Sequence, residues 1–278
     1  MKSDEIMLNR ASSPTSYPEV NMVLNVLLPD VQAILGEQFV GMYLYGSLAY
    51  GGFDRASDVD FVVVTDGVLP DETFLALQAM HNRIATLDSW CATQLEGSYI
   101  PRQALRIFDP QHVFHLHIDR GPDEKLHRMQ IDDPKVSRAW WGGWVFLRHV
   151  LWEHGIALAG SDLRTLIEPV QPGELRQAAW TNLEGWLEPL LDAPSELAHP
   201  GYQPYCVLTI CRLLFTLETD RIATKQAAAS WAVERLEPRW CALIERALTN
   251  RLYPPNTVHP DAIQETRDFV RYTLEHSQ

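Results

Sequence analysis

The hydrophobic pattern of this chain changes near residue 137. Before this point, short apolar runs such as 39–45 and 58–65 are typical of buried strands, and 71–87 has the spacing of an amphipathic helix. After it, helical patterns alternate with breaks that contain proline or glycine. These patterns cover residues 137–154, 174–191, 204–219, 225–236, 239–252 and 260–276. The sequence therefore predicts an α+β (mixed α/β) N-terminal domain followed by an all-α helical bundle.

Three further signals complete the N-terminal half. Apolar positions from 20 to 35 follow helical spacing, and Gly36 is a plausible end for that helix. Residues 90–100 and 113–118 have the composition of strands. We therefore expect helices and strands to be interspersed before the helical half begins.

The domain limits follow from length and from the turn-rich segment around Gly160. A chain of 278 residues has room for two ordinary domains, and we place them at 1–159 and 160–278. Residues 1–16 are polar and carry no periodicity, so we expect a loose tail.

Composition limits the environment and the partners. The first residues lack the apolar core of a secretion signal, and no apolar stretch approaches the roughly 18 residues of a membrane span, so we expect a cytoplasmic protein without membrane contact. The four cysteines form no C-x-x-C pair, which favours buried thiols. A net charge of −13 argues against nucleic acid as a partner and suits a cationic one. The expected oligomeric state is a monomer.

A candidate phosphate site lies where the strand predicted at 39–45 ends. It is followed by Gly46-Ser47, and a glycine lets the backbone approach a phosphate closely. A helix that begins at Ser47 or Leu48 would direct free N–H groups and the positive end of its dipole at that anion.

Asp58 and Asp60 lie two residues apart in the next predicted strand. Because side chains alternate along a strand, both carboxylates share one face while Val59 points into the core. Two unpaired carboxylates repel one another and raise one pKa, and a hard cation such as Mg²⁺ relieves this while binding substrate phosphates. The pattern predicts a metal site that also holds a triphosphate.

These motifs carry a resemblance to a known family. Gly46-Ser47 followed by Asp58-Val59-Asp60 resembles the signature of the polymerase-β-type nucleotidyltransferase superfamily. The helical half resembles the C-terminal domain of streptomycin and spectinomycin adenylyltransferases at residues 207–212, 222–225, 231–232 and 234–236. The resemblance implies a magnesium-dependent enzyme that transfers AMP from ATP to a hydroxyl of an aminoglycoside or aminocyclitol antibiotic and releases pyrophosphate.

The resemblance also assigns roles to single residues of the N-terminal domain. Ser47 and Ser57 would contact the nucleotide phosphates, next to the close backbone approach at Gly46. Asp58 and Asp60 would hold the magnesium ions.

Two further roles concern Lys225 and a third carboxylate. Lys225 would reach the phosphates from the second domain, and Thr224 can cap the helix on which it lies. Glu96 would act as the general base that draws the proton from the attacking hydroxyl, with Asp88 and Asp109 as alternatives for this role.

A histidine cluster has two interpretations. His112, His115 and His117 form H-x-x-H-x-H, and the last two would share a strand face, as a zinc site requires. Without a Cys or acidic ligand at a supporting spacing, a polar strand face is the favoured interpretation.

Tryptophans are concentrated in the helix predicted at 137–154. Trp144 and Trp152 follow one helical face and are expected in the core. For Trp140 and Trp141, core packing and stacking on a ligand ring both stay open.

The acceptor is the least determined part. Tyr202-Gln203-Pro204-Tyr205 stands where streptomycin enzymes carry an acidic residue that meets the drug, which leaves the antibiotic open. The alternatives are a nucleotidyltransferase acting on another metabolite or on a protein, and a non-catalytic, antitoxin-like nucleotide-binding protein.

Overall fold

The computed structural model of the protein describes residues 13–107, 114–121, 125–130, 143–192 and 195–276. Within these ranges the strands are β1 (Phe39–Leu44), β2 (Val59–Thr65), β3 (Leu95–Pro101), β4 (Phe114–Ile118), β5 (His127–Gln130) and β6 (Ile156–Gly160). The helices are α1 (Pro18–Leu35), α2 (Gly46–Tyr50), α3 (Asp71–Ile84), α4 (Arg102–Arg106), α5 (Gly143–His154), α6 (Leu163–Leu166), α7 (Glu174–Asp192), α8 (Tyr202–Thr219), α9 (Lys225–Arg235), α10 (Cys241–Leu252) and α11 (Pro260–His276).

The strands form one mixed sheet in the order β5-β4-β3-β2-β1-β6. β2 and β3 are parallel, and the other neighbours are antiparallel. The register places Asp60 directly beside Glu96. Because the sheet lies in the N-terminal half and helices follow it, the predicted fold class is confirmed.

Helices cover both faces of the sheet, which explains why β2 is apolar almost throughout. On one face, Phe61 and Val63 pack with buried residues of α1 and α3 such as Leu27 and Leu77. On the other face, Val62 packs with residues of α4, α5 and α6. Asp60 has the same parity as Val62, so its side chain projects from this second face at the end of the strand.

The second core belongs to helices α7–α11. Leu187, Ile210, Ala228, Ile244 and Phe269 are fully buried in it. A residue of α5, Phe146, packs into the same core, so α5 joins the sheet to the bundle. Among the helices described, none combines the length and apolarity needed to cross a membrane.

Helix α5 also decides the tryptophan prediction. Trp144 is buried and Trp152 packs against the same cluster as Leu147 and Leu151, so both are core residues as predicted. Trp140 and Trp141 lie outside the described residues.

The prediction of a strand at 90–100 is wrong for its first residues. Trp90–Thr93 is a 3₁₀ helix closed by the backbone N–H of Gln94 on the carbonyl of Cys91 at 3.0 Å, and the strand begins only at Leu95. Local i to i+3 hydrogen bonds overcome the β propensity of Trp90 and Thr93 there. Strands β5 and β6 were not predicted, because four and five residues are too few for a clear period.

Other predictions are confirmed in part. The cysteines are free, three of them buried and Cys241 half-buried. Of the expected tail, residues 1–12 lie outside the described residues, as do 137–142 of the tryptophan-rich helix. The division after residue 159 stays a prediction.

Candidate active site

The predicted site residues meet in one cavity of about 290 Å³ between the sheet and the helical bundle. The cavity is lined by Gly46, Ser47, Ser57, Asp58, Asp60, Glu96 and Lys225, together with residues from α5, α8 and α10. The first six come from the sheet side, and Lys225 comes from the start of α9 on the opposite side. The site is therefore built jointly by both halves of the chain.

Three carboxylates form the centre of this cavity. Asp58 precedes β2, Asp60 is its second residue, and Glu96 lies beside Asp60 on the parallel strand β3. Each contributes one oxygen to a set in which all atoms lie within 4.8 Å of one another. Asp88 is not in this group, and Asp109 lies outside the described residues. Of the described candidates for the third carboxylate, the geometry favours Glu96.

The three carboxylates repel one another when ionised, and a bound cation would relieve this repulsion. Burial and the neighbouring Asp58 raise the pKa of Asp60 to about 8. Burial, followed by the charges of Asp58 and Asp60, raises the pKa of Glu96 well above its ordinary value. An oxygen-only set of acidic ligands matches what Mg²⁺ prefers. The residues present therefore fit a magnesium ion, which Asp58 and Asp60 could hold.

A basic residue that sequence reasoning missed lies against this cluster. The Arg120 guanidinium forms an ion pair with Asp58, and it also donates to the carbonyl of Ala56 at 3.4 Å. Its position depends on how β4 returns beside β3, which no local pattern around residue 120 reveals.

The Gly46-Ser47 turn fits closely against Asp60. Gly46 has φ +61°, and a Cβ added there would lie 2.6 Å from Asp60 Cγ, far inside van der Waals contact. The backbone N–H of Tyr45 donates to the carbonyl of Asp60 at 3.1 Å, which fixes the turn to β2. Helix α2 begins at Gly46, one residue before the predicted start. Only glycine satisfies both the backbone angle and the close carboxylate.

The helical side of the cavity is basic. Lys225 begins α9, and the Thr224 hydroxyl accepts from the N–H of Ala227 at 3.1 Å, as the predicted cap requires. Burial, then the charges of Arg212 and Arg251, lower the pKa of Lys225 to about 8.

Sequence reasoning missed both of these arginines. Arg212 is buried on α8 and donates to the hydroxyl of Tyr50 at 2.8 Å. Arg212 ends the stretch 207–212 that carries the family resemblance, but no role was predicted for it. Its partner Tyr50 is 162 residues away in sequence and the partners of Arg251 are 194–197 residues away, so no local pattern reveals these contacts.

The histidines of β4 are buried, and His117 has polar neighbours. His115 and His117 share a strand face as predicted, yet both are buried, because β5 and the helices cover β4. The ring of His117 bonds Ser98 through Nδ1 at 2.8 Å, and its Nε2 is 3.4 Å from Asp119. Among the described residues neither histidine belongs to a metal-binding group, and His112 lies outside them.

Comparison with known protein families agrees with this geometry. The family described as "Nucleotidyltransferase domain" matches residues 28–114. The family described as "Aminoglycoside adenylyltransferase, C-terminal domain" matches residues 165–276. The chain is a nucleotidyltransferase.

Similar enzymes extend this likeness along most of the chain. The spectinomycin 9-adenylyltransferase of Campylobacter jejuni is 23% identical over 82% of this chain and 83% of its own length. The aminoglycoside (3'') (9) adenylyltransferase of Escherichia coli is 26% identical over 91% of this chain and 93% of its own length. The spectinomycin adenyltransferase of Enterococcus faecialis, crystallised with ATP and spectinomycin, shares the fold with a TM-score of 0.68 at 17% identity, covering 91% and 98% of the two chains.

Proposed function

We propose that this nucleotidyltransferase transfers AMP from ATP to a hydroxyl of an aminoglycoside or aminocyclitol antibiotic and releases pyrophosphate. The observation that carries the proposal is the cavity in which three carboxylates from the sheet face Lys225 from the helical bundle. The similar adenylyltransferases, which match 82% and 91% of this chain, support AMP as the transferred group.

The carboxylates and the basic groups have different proposed roles. Asp58 and Asp60 would hold magnesium, which when bound neutralises the carboxylates and the triphosphate. Ser47 and Lys225 contact the phosphates, with the Lys225 ammonium as a compact positive charge. Ser57 joins them by exchanging the hydrogen bond that its hydroxyl donates to Asp54 for one to a phosphate oxygen. Much of the rate enhancement then comes from holding the acceptor hydroxyl in line with the α-phosphorus.

Glu96 is proposed as the general base. It lies beside Asp60 and lines the same cavity, where a hydroxyl directed at the phosphate could reach it. Its raised pKa is caused mainly by burial and by Asp58 and Asp60, so compensation of those two charges lets Glu96 ionise and accept the proton.

A cationic acceptor fits the charge of the protein. The net charge of −13 attracts an amine-bearing drug, and Tyr205 and Phe146 add aromatic surface to the cavity. We further propose, from composition alone, that the enzyme is a cytoplasmic monomer divided into domains 1–159 and 160–278.

Pyrophosphate release tests the proposal. Purified protein with ATP, Mg²⁺ and a panel that includes streptomycin and spectinomycin should release pyrophosphate with at least one drug. Asp60→Asn should abolish release. Asp66→Asn, an exposed aspartate just beyond the same strand, is the matched control and should behave like the wild type.

Two results would redirect the proposal. ATP binding without product from any drug points to another metabolite or a protein as acceptor, or to a non-catalytic protein. Equal release by the wild type and Asp60→Asn contradicts the carboxylate site itself.

A further inference from the structure

The loop between α2 and β2 is tied to the helical bundle by one arginine. Arg251, on α10, donates through Nη1 to Oδ2 of Asp54 at 2.6 Å and through Nη2 to Oδ1 at 3.0 Å. Nη2 also donates to the hydroxyl of Ser57 at 3.1 Å. The Arg251 side chain is only 16% exposed, so this two-pronged contact is largely shielded from water. We call these three residues the Arg251 clamp.

Hydrogen bonds inside the loop depend on the same groups. Asp54 Oδ1 accepts from the N–H of Ala56 at 2.9 Å and from the hydroxyl of Ser57 at 3.1 Å. The N–H of Asp54 donates to Ser57 Oγ at 3.0 Å, so this hydroxyl uses its one donor and both acceptor positions within the clamp. Burial alone would raise the pKa of Asp54, but the hydrogen bonds and charge of Arg251 hold it below its ordinary value. The loop and α10 therefore form one connected network.

The chain order gives this network a consequence for the active site. Asp58 follows Ser57 directly and is one of the two proposed metal ligands. Lys225 lies on α9, which packs against α10. A contact from α10 to the loop therefore fixes the position of the Asp58 carboxylate relative to the Lys225 ammonium on the opposite side of the cavity.

We propose that Arg251 is a positioning residue for nucleotide binding, which holds Ser57 and Asp58 in place by gripping the loop from the helical bundle. The proposal rests on the proposed function for its nucleotide. Arg251 acts on the nucleotide indirectly, through the loop. Substitutions of Asp54 and Ser57 should therefore affect nucleotide binding in the same way as substitutions of Arg251.

Three variants define the clamp. Arg251→Ala leaves the Asp54 carboxylate without its cation, and we expect the affinity for a non-hydrolysable ATP analogue with Mg²⁺ to fall about tenfold, equivalent to about 1.4 kcal/mol. Arg251→Lys keeps the charge but loses the fork and should fall between this variant and the wild type. The double variant with Asp54→Ala should bind no more weakly than Arg251→Ala, because the two side chains act as one unit.

Arg246→Ala is the matched control, because Arg246 lies on the same helix and pairs with Glu265 of α11 instead of the loop. Hydrogen exchange of peptides covering 51–58, measured on the full chain without nucleotide, reports the loop directly. Calorimetry with the ATP analogue and Mg²⁺ reports nucleotide binding.

Faster exchange at 51–58 together with weaker binding in Arg251→Ala, but not in Arg246→Ala, supports the positioning role. Unchanged exchange overturns it, and so does faster exchange with affinity within twofold of the wild type, which would make the contact merely structural. A wild-type protein that binds the analogue but releases no pyrophosphate with any drug contradicts the proposed function alone. Hydrogen exchange and calorimetry then still test the positioning role of Arg251. A wild-type protein that binds no analogue contradicts both.

Discussion

Replacing Gly46 by alanine should disable the enzyme with little loss of fold. The residue has φ +61°, a backbone conformation that costs an alanine about 1–2 kcal/mol. The added Cβ would lie 2.6 Å from Asp60 Cγ, whereas ordinary contacts are 3.4–4 Å. The Asp60 carboxylate must therefore retreat by about 1 Å, a displacement that can cost about 10²-fold in rate when it moves a group of the active site.

Gly36 supplies the control for this substitution. It has a similar φ of +53°, and an added Cβ there meets nothing within 4 Å. With ψ −123° this is also a conformation that L-residues rarely adopt, so Gly36→Ala should carry a backbone cost of its own and leave the rate of pyrophosphate release unchanged.

The assay compares kcat/KM for pyrophosphate release and the Tm of both variants with those of the wild type. We expect a loss of Tm in both variants, but a loss of about 10²-fold in kcat/KM for Gly46→Ala alone. If Gly46→Ala keeps kcat/KM within threefold of Gly36→Ala, the close packing of Gly46 against a metal-binding carboxylate has no catalytic meaning.

Three other predictions follow from protonation states. Lys225 has a pKa of about 8, and its proposed role is to bind phosphates in the protonated form. Calorimetry should therefore show ATP affinity falling as pH rises through 8, and Lys225→Met should lose this dependence. Glu96→Gln should retain ATP binding while single-turnover kinetics show a loss of about 10²–10⁴-fold, and a rate near that of the wild type would remove Glu96 as the base. Burial lowers the pKa of His81 to about 3, so the unfolded chain takes up this proton first as pH falls below 6.5. The free energy of unfolding measured in urea should consequently lose about 2 kcal/mol between pH 7 and pH 5 through this residue, a loss absent from His81→Gln.

The N-terminal half shows what local patterns determine. The strand before Gly46 and the strand after Asp58 were predictable, because each is an apolar run long enough to be buried on both faces. Alternation along β2 also gave the shared face of Asp58 and Asp60. Glu96 could be named through the resemblance, and the parallel pairing of β2 and β3 explains why it lies beside Asp60.

The basic side of the site could not be predicted in the same way. Arg120, Arg212 and Arg251 owe their positions to the return of β4 along the sheet and to the packing of α8 and α10 against the loop after α2. No short window of sequence contains both partners of these contacts. Similarly, the period of two placed His115 and His117 on one face, but their burial depends on strand β5, whose four residues give no clear signal.

The central claim is that Asp58 and Asp60 hold a divalent cation at the nucleotide. Anomalous diffraction from crystals grown with Mn²⁺ and a non-hydrolysable ATP analogue tests it directly, since manganese takes the same oxygen ligands as magnesium. We expect a manganese peak within about 2.5 Å of carboxylate oxygens from both Asp58 and Asp60 and of a phosphate oxygen. Density for the analogue with no peak between these two carboxylates, or with the peak at the histidines of β4 instead, would contradict it.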